Sequence, residues 1–127
     1  MSFVIRFTTS MFDVPKEDEN PINPIYGQSV LSYLRNKVTD QMKMDEPDTE
    51  DWGWYSFVEW KGSKYLIGAS AELEEAHEGE WCIQVEKQRP LKERLLGIGK
   101  MTKDDECLQS ILSILKAESQ IKDIKLE

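Results

Sequence analysis

The chain reads as an α+β fold: a mostly antiparallel sheet in the order β-α-β-β-β-α-α-β, with helices packed on one face. Three observations predict it. Apolar residues alternate with period 2 near both ends and through the middle. Helical stripes separate those stretches. The three middle strands follow one another across a tight turn and a polar loop, the pattern of an antiparallel meander. Helices on such a sheet make the layered α+β arrangement.

Residues 2–9 (SFVIRFTT) form the first strand, with Phe3, Ile5 and Phe7 on one face and Val4 and Arg6 on the other. Residues 13–24 hold three prolines and an acidic cluster, and read as a loop. Residues 27–42 are a helix in which Val30, Leu31, Leu34 and Val38 share a stripe. Arg35 and Lys37 come late in it, where cations suit the dipole. Residues 44–51 (MDEPDTED) break the helix, because Pro47 cannot continue it.

Residues 52–60 are the second strand. Trp52, Trp54, Val58 and Trp60 share one parity, Tyr55, Phe57 and Glu59 the other. Lys61-Gly62 is a tight turn, because glycine accepts positive φ without a steric cost. Residues 63–72 return, 73–80 form a Glu-rich loop, and 81–87 make the last strand of the meander. Pro90 at the start and Gly97 at the end bracket a short helix over 89–97. Residues 102–119 are the longest helix, capped by Thr102, with Leu108, Ile111, Leu112 and Leu115 as its buried stripe. Residues 121–127 close as a short strand, although Ile121 is out of parity with Ile124 and Leu126.

A length of 127 residues, with 39% hydrophobic and 31% charged side chains, suits one globular domain spanning 1–127. The formal charge of −8 repels phosphate backbones, so nucleic acid is not an expected partner. It favours basic proteins, and it also keeps small proteins dispersed. The charge is uneven: residues 1–83 carry 7 Lys+Arg against 16 Asp+Glu, while residues 84–127 carry 9 against 8. No basic start followed by an apolar run resembles an export signal, and no apolar stretch is long enough to span a bilayer. The expectation is therefore a cytoplasmic protein without a membrane role. Cys82 and Cys107 show no metal spacing and read as reduced, buried thiols.

No motif carries catalysis. His77, the single histidine, lies in the Glu-rich loop and matches no zinc pattern. The acids of residues 45–51 lack the register of an EF-hand. Residues 97–100 (GIGK) lack the spacing and the Ser/Thr of a phosphate loop. Catalytic, cofactor and metal sites are all read as none.

The aromatic residues admit two readings. Three tryptophans on one strand face supply the bulk of a small core. Alternatively, the start of that strand lies exposed beside the acids, giving aromatic anchors with a charged rim for a basic partner. Gly53, between Trp52 and Trp54, marks a bulge or a close backbone approach. The functional expectation is a non-enzymatic protein-binding module. Its face combines Trp52, Trp54 and Tyr55 with Asp48, Glu50 and Asp51, and with Glu74, Glu75, His77 and Glu78 of the loop. An immunity- or antitoxin-type inhibitor of a basic partner is its concrete form, by analogy of protein type. Two alternatives stand beside it. One is a small-molecule-binding or enzymatic domain with an aromatic pocket, Arg89 or Arg94 holding an anionic end. The other is a structural homo-oligomer; a homodimer follows if the basic stretch 87–100 meets another copy's acidic loop.

Overall fold

Alternation at the start of the chain produces strand β1 (Ser2–Thr8), whose Phe3, Ile5 and Phe7 are buried while their neighbours are half-exposed. The computed structural model describes residues 2–38, 40–73 and 79–127. After β1, a 3-10 turn at Val14–Lys16 leads to helix α1 (Gln28–Lys37), and then come β2 (Met42–Met44), β3 (Asp48–Glu50), β4 (Gly53–Trp60), β5 (Ser63–Leu73) and β6 (Gly79–Gln88). Helices α2 (Leu91–Leu96) and α3 (Glu106–Ala117) and strand β7 (Lys122–Leu126) complete the order. The strands form one antiparallel sheet in the spatial order β2-β4-β5-β6-β1-β7, with β3 also pairing β4. The fold is α+β.

Two short strands stand at the end of the helix expected over 27–42 and in the stretch expected to break it, β2 at Met42–Met44 and β3 at Asp48–Glu50. Helix α1 stops at Lys37, because Val38 turns extended (ψ 149°) while its N–H still bonds Leu34 O. Met42 and Met44 are buried and Lys43 exposed, so the period there is two rather than helical. Pro47 falls between β2 and β3, on the sheet edge, where a missing N–H is tolerated.

The Lys61-Gly62 turn has both residues at positive φ (47° and 80°), the geometry of a two-residue hairpin loop. It sets the register of β4 on β5, placing Trp60 opposite Ser63, Phe57 opposite Leu66 and Tyr55 opposite Gly68. The parity break before β7 is resolved by Asp123. Its φ of 56° coincides with a register shift against β1, and Ile121 is buried while Ile124 packs against the core.

One hydrophobic cluster joins Phe3, Ile5 and Phe7 of β1 to Trp54 and Trp60 of β4, Ile67 of β5 and Trp81 of β6. Helix α1 adds Val30, Leu31 and Leu34, and α3 adds Leu108, Ile111 and Leu115. Polar tips on these core side chains meet the helices and the segment before them. Trp54 Nε1 donates to Ile25 O (3.1 Å), Trp60 Nε1 to Glu106 Oε2 (3.4 Å) and Tyr65 Oη to Asp105 Oδ2 (2.7 Å). Asp105, not Thr102, caps α3, accepting from Leu108 N through Oδ1. Thr102 instead accepts from Asp104 N in the preceding turn. Helix α2 differs from α1 and α3 in burying none of its residues.

Candidate protein-binding face

Because strand residues alternate, the side chains not in the core stand on the sheet's other face. There β4 contributes Tyr55 and Phe57, and β5 contributes Leu66 and Gly68 directly opposite them. Glu86 and Gln84 of β6 come next, opposite Leu66 and Gly68 respectively. Tyr55 and Phe57 meet edge to face, 5.7 Å between centroids, and Lys64 Nζ lies 4.2 Å from the Phe57 centroid. Tyr55, Phe57, Leu66 and Glu86 are all half-buried, as expected of a sheet surface open to water on one side.

Trp52 completes this surface by leaving the parity of its own strand. Asp51 and Trp52 form the turn between β3 and β4, and Gly53 follows with φ of 146°, a conformation that side-chain-bearing residues rarely adopt. The chain therefore reverses at Trp52 and lays its indole over Gly68. A methyl group at Gly68 would come within 2.7 Å of the Trp52 ring, so the glycine is what lets the indole approach the strand. Trp52 is 40% exposed, whereas Trp54 is 3% exposed in the core. Trp54 is thus not part of the surface expected for it; the bend at Gly53 separates two rings that sequence parity grouped together. Trp52, Leu66, Gly68, Gln84 and Glu86 line a small recess of about 160 Å³.

The hairpin carrying Trp52 is held from behind. Asn20 is buried, and its Nδ2 donates to Glu50 O (3.0 Å) and Gly53 O (2.8 Å). Its Oδ1 accepts from Ile22 N and Asn23 N, and Asn23 Nδ2 donates to Asp51 O (2.9 Å). The proline-rich loop 13–24 is in this way the clamp of the β3–β4 turn.

Among the expected site residues, Asp48 lies opposite Tyr55 and Glu50 opposite Gly53, so the acids rim the same hairpin as Trp52. Asp48 and Asp51 are exposed and Glu50 is half-exposed. Glu74, Glu75, His77 and Glu78 lie outside the described residues. Phe57, Leu66, Gly68 and Gln84 belong to the face but were not in the expected set. For Phe57, Leu66 and Gly68 the signal was the Lys61-Gly62 turn, from which the opposing pairs of β4 and β5 can be counted.

Groups suited to nucleophilic chemistry are scarce here. Cys107 is buried, and burial first, then the neighbouring Asp105 carboxylate, pushes its thiol up to about 12. Cys82 is half-buried rather than buried, with desolvation again the main cause of its raised pKa, against the opposing pull of Arg6. Arg6 bonds Glu80 (3.1 Å) and Glu127 (3.3 Å). Among the described residues no cluster of His, Cys, Asp and Glu is placed to hold a metal ion, and no helix is long and apolar enough to cross a membrane. A second depression of about 450 Å³ is lined by Phe3, Lys87, Arg89, Lys100, Met101 and Thr102.

In comparisons with known proteins, no family model, curated protein or solved structure matches this chain, so its function is read from the geometry above.

Proposed function

We propose that the protein is a non-enzymatic binding module whose open sheet face and β3–β4 turn dock a basic protein. The observation that carries this reading is Trp52: a large aromatic ring, 40% exposed, seated on Gly68 at the edge of Tyr55, Phe57 and Leu66 and rimmed by Asp48, Glu50 and Asp51. Aromatic side chains held rigidly against a strand supply desolvated contact area at small entropic cost. The carboxylates raise the association rate of a cationic partner and disfavour anionic ones. The recess beside Trp52 is small, about 160 Å³, which suits a single protruding partner side chain better than a whole small-molecule ligand.

An immunity- or antitoxin-type inhibitor is the concrete form of this proposal, supported by the small acidic chain and by the basic character of many proteins that attack nucleic acid. The basic depression around Arg89 supports a second reading, a site for a small anionic ligand with an apolar body over Phe3 and Met101.

The test is capture of partners from source lysate on the tagged chain, with washes at low and high salt. The proposal expects a basic protein retained at low salt, weakened at high salt, and lost with Trp52→Ala. Retention indifferent to salt and to Trp52→Ala would remove its basis. Thermal-shift screening against anionic amphiphiles tests the second reading, with Arg89→Ala abolishing any stabilisation.

A further inference from the structure

The segment that follows β6, from Arg89 to Lys100, buries none of its residues. Helix α2 has six residues, below the length at which a helix is stable in water by itself, yet none of them is buried. Leu91, Leu95, Leu96 and Ile98 are 67%, 78%, 61% and 53% exposed. The segment is folded on itself instead: Gly97 caps α2 in the left-handed region, Ile98 N bonds Glu93 O, and Arg89 Nη1 donates to Ile98 O (2.9 Å). It is a preformed arm carrying apolar side chains that the body leaves uncovered. Lys87, Arg89, Lys92, Arg94 and Lys100 share the stretch 87–100 with them, against the single Glu93.

A surface that covers this arm must be apolar at its centre and acidic at its rim. Such a surface is present on the chain itself, in Trp52, Tyr55, Phe57 and Leu66 with Asp48, Glu50 and Asp51. We infer that the arm of one copy docks on the open sheet face of a second copy, so that self-association covers the face until a basic partner displaces the arm. The inference rests on the reading of that face as a docking surface. It joins two different patches, so it either closes reciprocally in a dimer or propagates head to tail.

The experiment is sedimentation equilibrium of the full chain over a roughly hundredfold range of concentration, at low and high salt. The wild type is expected above one chain mass at high concentration and low salt, returning to one chain as salt rises. Leu95→Glu with Leu96→Glu is expected to be monomeric throughout, with unchanged circular dichroism because those side chains are mostly exposed. Asp48→Lys with Asp51→Lys should be monomeric as well, from the opposite side of the contact. A single chain mass under all conditions overturns the inference. So does association that either double variant leaves intact, or an arm that binds anionic vesicles while the chain stays monomeric. The partner reading is judged separately: the Leu95→Glu, Leu96→Glu protein keeps the whole sheet face, so it should still capture the basic partner. If it captures nothing while the wild type self-associates through both patches, the partner reading falls and the self-association stands.

Discussion

Trp52 and Trp54 are two residues apart and have opposite fates. Trp54 is buried, its indole N–H satisfied by Ile25 O, part of the packing that joins the sheet to the start of α1. Trp52 lies on the other face, over a glycine, with acids around it. The difference is made by Gly53, whose positive φ lets the β3–β4 turn reverse between them. The comparison teaches that a ring's role is set by the backbone at its neighbour, and that one hairpin serves both the core and the open surface.

The strongest way to break the comparison is Trp54→Ala. Removing a buried indole leaves a cavity, at a cost of about 3–5 kcal/mol, read by chemical denaturation. Trp52→Ala removes a ring of the same size from the opposite face, and should cost under about 1 kcal/mol. Equal losses at the two positions would contradict the assignment of faces.

A smaller effect sharpens it. Asn20→Ala deletes both bonds to the hairpin backbone, leaving Glu50 O and Gly53 O without that donor. The expected cost is about 1–3 kcal/mol. Faster amide exchange should be confined to β3 and the start of β4, with the centre of β5 unchanged. Uniform acceleration would mean that Asn20 supports the whole fold rather than the presentation of Trp52.

The smallest effect concerns acid. Glu106 receives Lys61 Nζ at 2.7 Å and Trp60 Nε1 at 3.4 Å, and these bonds, Lys61 foremost, hold its carboxyl below the ordinary carboxylate value. A carboxylate depressed in the folded state stabilises above its unfolded pKa and loses that contribution as pH falls through the folded one. Thermal stability should therefore fall on acidification below the ordinary carboxylate range, and Glu106→Gln should make that slope shallower. The pair is exposed, so the change is small. An unaltered slope would show that the bonds to the Glu106 carboxylate contribute nothing to the pH dependence of stability.

Much of this architecture was legible in the residues. The Lys61-Gly62 turn, the stripe of α3, and the Pro90 and Gly97 boundaries of α2 each follow from local chemistry that tertiary contacts did not override. The edge strands were not legible. Met42-Lys43-Met44 is too short to show a period, and Asp48–Glu50 is polar because an edge strand needs only its pairing to β4. The acid rim was readable as composition, and Tyr55 and Phe57 as a parity set. The separation of Trp52 from Trp54 was not, since it depends on a single backbone angle and on the absence of a side chain at Gly68, which lies on the following strand. Nor did alternation reveal the clamp by Asn20, because the loop that carries it has no period.

The most direct test of this account is quenching of tryptophan fluorescence by acrylamide in the wild type and in Trp52→Phe. Trp54, Trp60 and Trp81 are buried and Trp52 alone is exposed to solvent. The account predicts a quenchable fraction in the wild type that Trp52→Phe removes, and that cesium reaches more readily than iodide because acids rim the ring. Quenching of equal extent in both proteins would contradict it, and would place the open aromatic face elsewhere.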